Sequence, residues 1–485
     1  MSDYRVIPAA DVDAWDEETG VVVAGLGCSG ACAAIEARVQ GADVLVLERA
    51  SGGGGVTAMA AGHVYMGGGT RVQKAVGVED TVEDMFRYLV MNTPEPDEAK
   101  IRLYCEQSVD HFDWLVAQGV PFNDTMYRGK HVLQMTDECL IWSGNEEVWP
   151  FREKARPAPR GHKVAQEGEA GGARLMELLI ARCQALGVAI RCDAALRELV
   201  RDGERIVGVR YHHVDDAPGA LRSVRARKGV VLATGHFTNN EEMLREHCPQ
   251  LADERMTRQY TPNDDGVAHQ LGLLAGGELR HMEGALITSP FYPPESLLKG
   301  ILVNREGRRF VAEDSYHSRS SILITQQPGG VAYLIVDDDC FGRPLFGGYE
   351  VIDAFEDVAE MEKALSLPDG SLQKTLADYN ANAARGEDPE FHKGKKWLAP
   401  LDAKPLAALR ASLGDNPFMA FTLGGLRVSI DGQVERPDGT PIAGLYAVGA
   451  CASNIAQDGT GYSSGTCIGE STFFGRRAGR HAAGA

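Results

Sequence analysis

The 485-residue chain contains no CxxC or CxxCH pair, so iron–sulfur ligation and c-type haem attachment have no ligand set. Its ten cysteines are scattered at 28, 32, 105, 139, 183, 192, 248, 340, 451 and 467, which gives no disulfide framework in a reducing compartment. Cys28 and Cys32, one helical turn apart, read as small buried thiols against a sheet rather than as metal ligands, and no metal site is expected. No apolar run approaches the ~18 residues that would span a bilayer. The opening MSDYRVIPAADVDAWDEETG is acidic and lacks the apolar stretch of a secretory signal, which points to a cytoplasmic protein. Basic residues are the minority, 49 Lys+Arg against 68 Asp+Glu for a net charge of −19, and this disfavours nucleic acid or an anionic membrane as partner. No internal repeat is visible.

What is present is an ordinary soluble composition, 44% apolar and 24% charged, with glycine high at 56 residues. The length allows two or three domains with sizeable cores. The most informative stretch is 21–48, VVVAGLGCSGACAAIEARVQGADVLVLE. A β-branched run ends at Gly25-Leu26-Gly27-Cys28-Ser29-Gly30, an Ala-rich helix follows, and a second apolar strand stops at Glu48. Gly25 lets the chain turn out of the strand. Gly27 lets backbone approach a pyrophosphate, and Gly30 lets the helix lie close on the sheet. The helix N-terminus offers N–H groups to the anion. Glu48, about 20 residues on, can accept a ribose 2′-hydroxyl. The reading is a dinucleotide site in a βαβ unit.

Residues 51–63, SGGGGVTAMAAGH, are small and uncharged, as expected for backbone against a flat ligand. Residues 79–90 and 97–120 have helical spacing of apolar positions, and 121–168 read as irregular. A helix running into a strand spans 172–192. Further strands are expected at 203–214 and 223–235, the second ending in Ala233-Thr234-Gly235. Asn263-Asp264-Asp265-Gly266 opens another helix, with Asp264 or Asp265 as its N-cap. From 279 to 410 strand-like pieces alternate with charged helices, which reads as an inserted second domain. The chain returns through an apolar strand pair to a helix preceded by Gly461-Tyr462-Ser463-Ser464-Gly465.

The opening βαβ unit, the glycine loop, Ala233-Thr234-Gly235, the Asp-Gly helix and the closing GLYAVGA…SSGTCIGESTFFGRRAG together resemble the FAD-dependent fumarate reductase and 3-ketosteroid dehydrogenase superfamily across essentially the whole chain. The resemblance implies an α/β fold: a Rossmann-type, GR2-like FAD-binding domain built from both chain ends, residues 1–278 plus 411–485. An inserted α+β catalytic domain, 279–410, would cap the substrate. It implies FAD contacts from Gly25, Gly27, Ser29, Gly30, Glu48 and Arg49, and from Gly55, Thr57, Ala61 and Gly62. Further contacts would come from Ala233, Thr234, Gly235, Asp265 and Gly449. The final helix would aim its N-terminus at the flavin N1/C2=O edge through the backbone of Gly465, Thr466, Cys467 and Ile468, stabilising negative charge at that edge.

Within the superfamily, fumarate reduction needs an arginine acid soon after a segment like NREGRRFVAE. Here Tyr316 and His317 occupy that place and Arg319 comes two or three residues late, so a dicarboxylate substrate is disfavoured. Tyr316, Tyr462-Ser463-Ser464-Gly465 and the segment 64–77 (VYMGGGTRVQKAVG) look most like the 3-ketosteroid Δ4-(5α)-dehydrogenases. The implied reaction removes a proton from C4 and a hydride from C5 of a 3-keto steroid, with the hydride going to flavin N5 and the electrons onward to an unidentified acceptor. Tyr462 OH and the Gly465 N–H are expected to hold the ketone oxygen, each donor contributing about 3 kcal/mol. Tyr316 and Ser464 would lie on the proton side. His317 is the neighbour that could supply positive charge to a weakly basic hydroxyl. Arg308 and Arg309 read as structural ion pairs, and the Trp, Arg and His residues of 142–162 as the rim of a substrate entrance. Alternatives are Δ1-dehydrogenation, a soluble fumarate or enoate reductase, and a flavin-containing redox sensor without turnover.

Val56 stands before Thr57, where membrane-bound fumarate reductases carry the histidine that attaches the flavin. Non-covalent FAD is therefore predicted: acid precipitation of the purified protein should leave a yellow supernatant, and a yellow pellet would refute it.

Overall fold

A computed structural model describes residues 4–130, 132, 134–345 and 348–485. Its main sheet is centred on the strand Glu17–Ala24, whose Val21, Val22, Val23 and Ala24 are buried. A continuous apolar run suits a parallel strand covered on both faces. Val44–Leu47 lies parallel on one side of it, and Ala189–Arg191 lies parallel beyond that. Arg222–Leu232 lies parallel on the other side. This long strand changes partner along its outer edge. Residues 222–225 pair antiparallel with Arg205–His213, whereas Val230, Val231 and Leu232 pair in parallel with Leu445, Tyr446 and Ala447. The strand Pro441–Ala447 is thus returned to the sheet from the far end of the chain. Ala194–Asp202 and Arg5–Pro8 extend the antiparallel wing.

The helix Cys28–Val39 is buried from Cys28 to Ala37, which explains its small side chains. The final helix, Thr466–Gly484, lies along it. A Cβ on Gly475 would overlap the Ser29 carbonyl, and one on Gly479 the Ala33 carbonyl, so the two backbones touch. The two contacts advance together in sequence, so the helices run parallel. Buried Glu36 closes the seam, 2.6 Å from Arg480 and 3.4 Å from Arg476.

A four-stranded antiparallel sheet runs in the order Ile301–Asn304, Ala332–Asp337, Leu406–Arg410, Val351–Phe355. A three-stranded sheet, Met256–Arg258, Phe418–Thr422 and Ala285–Thr288, shares its hydrophobic core. One hydrophobic core joins Phe237 and Leu251 to residues from Met282 to Ala420. Arg309 is buried with Glu313 and Asp388 at 2.9 Å each, and Lys393 adds a second cation 3.1 Å from Glu313. Arg309 is thus structural, as expected, and Arg308 is exposed beside Glu306.

Several expectations are corrected. The helix read over 97–120 is two, Glu98–Glu106 and Ser108–Ala117. The break falls where the buried Ser108 hydroxyl accepts the Gly67 N–H at 2.9 Å, and such side-chain bonds compete with helix continuation. The helix His317–Thr325 carried no apolar period because its buried face is built largely of Ser318, Ser320 and Ser321. The helix Val267–Leu274 is capped by Gly266 in the left-handed region, not by Asp264 or Asp265; Asp264 instead accepts the Thr261 N–H and hydroxyl at 2.5 and 2.7 Å. Of the 142–162 side chains read as an entrance rim, Arg160 and His162 lie in the core. Arg160 is fully buried against Asp80 at 2.7 Å, His162 meets Thr70 Oγ1 at 2.8 Å, and Trp149 packs on His392.

Gly475→Val should force the two helices apart and cost about 1–3 kcal/mol of stability, read as a lower urea midpoint. An unchanged midpoint would contradict the backbone contact.

Candidate active site

Two helix N-termini face the same way at the C-terminal edge of the parallel strands. At the first, Gly25 turns the chain with φ +107° and has no room for a side chain against Ala233. Gly30 similarly abuts the Gly25 carbonyl. Gly27 caps the helix without a side-chain bond, and a Cβ there would meet only Thr57 Oγ1, at 3.8 Å. Space is therefore left open in front of the N–H groups, as an approaching anion requires. Cys28 N–H reaches Thr57 Oγ1 at 3.4 Å. Glu48 accepts the N–H groups of Leu26 and Ala50 at 2.7 and 2.8 Å, one on each oxygen, which orients the carboxylate and leaves each oxygen a second lone pair.

Around this cradle, Arg49 meets Asp265 Oδ2 at 2.5 Å and Tyr4 donates to the same oxygen at 3.1 Å. Asp265 Oδ1 is buried without a partner, an acceptor still to be satisfied. Thr234 Oγ1 accepts the Ala268 N–H at 3.3 Å, next to Ala233 and to Gly235, which has φ +81°. Gly55 opens a short 3₁₀ turn, Gly55–Met59, that is partly exposed. Ala61 and Gly62 press on Gly171 of the helix Gly171–Ala185, and Gly449 presses on buried Ser29. Ala61, Gly62 and Gly449 thus pack chain on chain.

At the second N-terminus, Gly465 has φ +95° and is wedged against the Val64–Tyr65 backbone, its carbonyl accepting the Tyr65 N–H at 3.0 Å. The Thr466 N–H and hydroxyl both turn to the Ser463 carbonyl, at 3.1 and 2.9 Å. Cys467 N–H donates to Tyr462 OH at 3.4 Å, and Ile468 packs on the core around the first helix. Gly475 lies level with Ser29, so the final helix starts roughly 12 Å beyond the first at 1.5 Å per residue. Two N-termini offset along one line, an open glycine cradle and an unsatisfied carboxylate oxygen fit an elongated dinucleotide with polar groups at both ends.

Next to the second N-terminus, Tyr316 OH and Ser464 Oγ are 2.5 Å apart although 148 residues separate them. Tyr316 and Tyr462 share an apolar cluster with Leu286, Leu423 and Ala456, flanked by Phe421 and Cys467. Burial raises both phenols above their ordinary value, so each is a neutral hydroxyl. Because Tyr462 OH accepts from Cys467, its own hydrogen is left to donate elsewhere. His317 does not supply positive charge: burial pushes it down to about 3, and its Nδ1 is engaged by Thr288 Oγ1.

The segment Ser143-Gly144-Asn145-Glu146, within a stretch read as irregular, lies directly on this site. Ser143 O accepts the Ser464 N–H at 2.7 Å and Asn145 Oδ1 the Tyr316 N–H at 2.8 Å. No sequence pattern marked it, since its bonds are to backbone distant in the chain. Glu146 is buried, bonded by Tyr65 OH at 3.3 Å and the Gly144 N–H at 2.9 Å.

Residues 20–467 match the FAD binding domain family. The chain is 30% identical to the 3-oxo-5-alpha-steroid 4-dehydrogenase of Comamonas testosteroni, over 91% of this chain and 94% of that protein. It is 27% identical to a fumarate reductase (cytochrome) of Shewanella frigidimarina, over 98% and 79%. Among solved structures, the 3-ketosteroid-delta4-(5alpha)-dehydrogenase of Rhodococcus jostii RHA1, in complex with 4-androstene-3,17-dione, superposes with a TM-score of 0.91, 40% identity and 99% coverage of both chains.

Burial raises Glu146 from an ordinary 4.5 to about 7, partly offset by its backbone bonds and by Arg160. The native state then holds a proton that the unfolded chain releases across that window, so this contribution to stability is present below 4.5 and lost as pH rises through about 7. Glu146→Gln keeps an acceptor for Tyr65 and should gain on wild type as pH rises through the window. A difference in urea midpoint that is constant with pH would contradict a protonated Glu146.

Proposed function

The chain belongs to the FAD binding domain family, and from that membership and the site we propose an FAD-dependent 3-ketosteroid dehydrogenase that desaturates its substrate between C4 and C5. The observation that carries the reading is the Tyr316–Ser464 hydroxyl pair, held beside Tyr462 in an apolar cluster at the N-terminus of the final helix. FAD, when bound, supplies the hydride acceptor for the C5 hydrogen. Tyr462 donates to the ketone oxygen, its phenol oriented by the Cys467 N–H and polarised by the helix dipole, with the Gly465 N–H as second donor. The enolate character that develops when C4–H breaks is stabilised by those donors. Tyr316, a neutral phenol, is a competent acceptor for the C4 proton only if it passes its own proton to Ser464 as it receives one. The 2.5 Å contact supports that transfer. Tyr316 and Ser464 thus form the relay, with solvent as its outlet.

The apolar side chains Leu286, Phe421, Leu423 and Ala456 suit a steroid ring system. They offer a dicarboxylate no countercharge, and Arg319 lies 5.5 Å over the Phe151 ring. The reading includes a Rossmann-type, GR2-like FAD-binding domain from 1–278 plus 411–485 with an inserted α+β catalytic domain at 279–410. It is supported by the return of Pro441–Ala447 to the parallel sheet and by a four-stranded sheet lying wholly between Ile301 and Arg410. Side chains from Phe237 to Leu251 pack into the same core as that sheet. The glycine cradle is assigned to the pyrophosphate and the Gly465–Ile468 backbone to the flavin edge, without a covalent link. No described helix is long and apolar enough to cross a membrane, and a cytoplasmic enzyme is part of the reading.

Anaerobic mixing of the FAD-loaded protein with a saturated 5α-3-keto steroid should bleach the flavin and yield the Δ4 product. Tyr462→Phe should slow the reaction by ~100-fold, the worth of one oxyanion donor, and Tyr316→Phe should also slow it, with FAD retained in both. Near-wild-type rates in both variants would sink the assignment.

A further inference from the structure

The inference concerns Asn145 and rests on the reading that the Tyr316–Ser464 pair passes the substrate's proton. Asn145 has no exposed surface, and its bonds reach Tyr316 and the loop that carries Ser464. Its Oδ1 accepts the Tyr316 N–H at 2.8 Å, and its Nδ2 donates to the Thr460 carbonyl at 3.5 Å. Its own N–H donates to Tyr88 OH at 2.8 Å, and that hydroxyl lies 2.9 Å from Ser463 Oγ. The two neighbours before it reinforce the grip. Ser143 O holds the Ser464 N–H at 2.7 Å. Gly144 admits no side chain, because a Cβ would overlap Ser463 Oγ.

Tyr316 is the residue before the helix His317–Thr325, so its N–H has no partner within the helix and, being buried, must be accepted from elsewhere. An amide is suited to the place: one oxygen accepts from one segment while its nitrogen donates to the other. Transfer between two neutral hydroxyls depends steeply on their separation, and the two stand just before the N-termini of different helices. We propose that Asn145 is a positioning residue that ties the Tyr316 backbone to the Thr460–Ser464 loop and so holds the Tyr316 hydroxyl against Ser464. Its role is to fix the geometry of proton removal from C4, leaving hydride transfer from C5 and steroid affinity to other groups.

The test compares wild type, Asn145→Ala and Asn145→Asp in the FAD-loaded full chain with saturated 5α-3-keto steroid deuterated at C4 or at C5. Asn145→Ala should lower kcat by ~100-fold, the scale of an ångström-sized misplacement, with KM and FAD content unchanged. Its C4 isotope effect should rise while the C5 effect does not. Asn145→Asp keeps an acceptor for the Tyr316 N–H but loses the donor to the Thr460 carbonyl, so it should recover part of kcat and not all of it. A crystal structure of Asn145→Ala should show Tyr316 OH and Ser464 Oγ no longer within hydrogen-bond distance. A kcat within about two-fold of wild type, or a loss that follows FAD content with both isotope effects unmoved, would overturn the proposal. If wild type leaves every saturated 3-keto steroid unoxidised, the substrate reading falls, and the crystallographic separation decides Asn145 alone: an intact contact in Asn145→Ala overturns it, a broken one supports it.

Discussion

Backbone contact between the helices Cys28–Val39 and Thr466–Gly484 constrains everything at the functional end. Without side chains at Gly475 and Gly479, and with only small ones facing them, the helices approach until main chain meets main chain. That contact fixes direction and offset together. Both N-termini point the same way, one at a glycine cradle with open space before it and the other at the tyrosine–serine pair. In the proposed assignment the cradle takes the pyrophosphate and the final helix the flavin edge, which FAD joins covalently, so the two sites have to stand at a set spacing. Side chains could not hold that spacing as rigidly as touching backbones.

The electrostatics of the two halves differ in kind. Around Arg309 charges are buried in numbers, but each has a partner of opposite sign within about 3 Å, as buried ions require. The Tyr316 hydroxyl itself meets Ser464 and shares its cluster with Tyr462 and apolar side chains. Burial keeps both phenols protonated and His317 neutral, and Glu146 carries its proton up to about pH 7. These surroundings suit the uncharged ring system and the hydroxyl proton path of the proposed reaction.

The cradle was legible in the sequence because its demands are local. Gly25 needs its φ, Gly27 its open face, Gly30 its close approach, and Glu48 follows at a fixed distance. The tyrosines and Ser464 were legible through resemblance, since nothing in composition or period brings residue 316 to residue 464. Asn145 was not legible: its partners are backbone groups of segments far away in sequence, and an Asn in a polar loop looks like any turn residue. The helix after Tyr316 was hidden for the opposite reason, burial by serine rather than by apolar side chains. Within 142–162 polarity alone does not distinguish a rim from a satisfied core, and Arg160 and His162 are core.

The strand Arg222–Leu232 has a consequence for how the molecule comes into being. Its first residues can pair as soon as Arg205–His213 has been synthesised, whereas its last three wait for Pro441–Ala447, more than two hundred residues later. Until then an apolar, half-paired edge stands open in the middle of the nascent protein, and the second helix N-terminus does not yet exist. A growing polypeptide therefore presents the cradle before the second helix N-terminus, and any truncation that removes Pro441–Ala447 leaves a sticky edge for chaperones to guard.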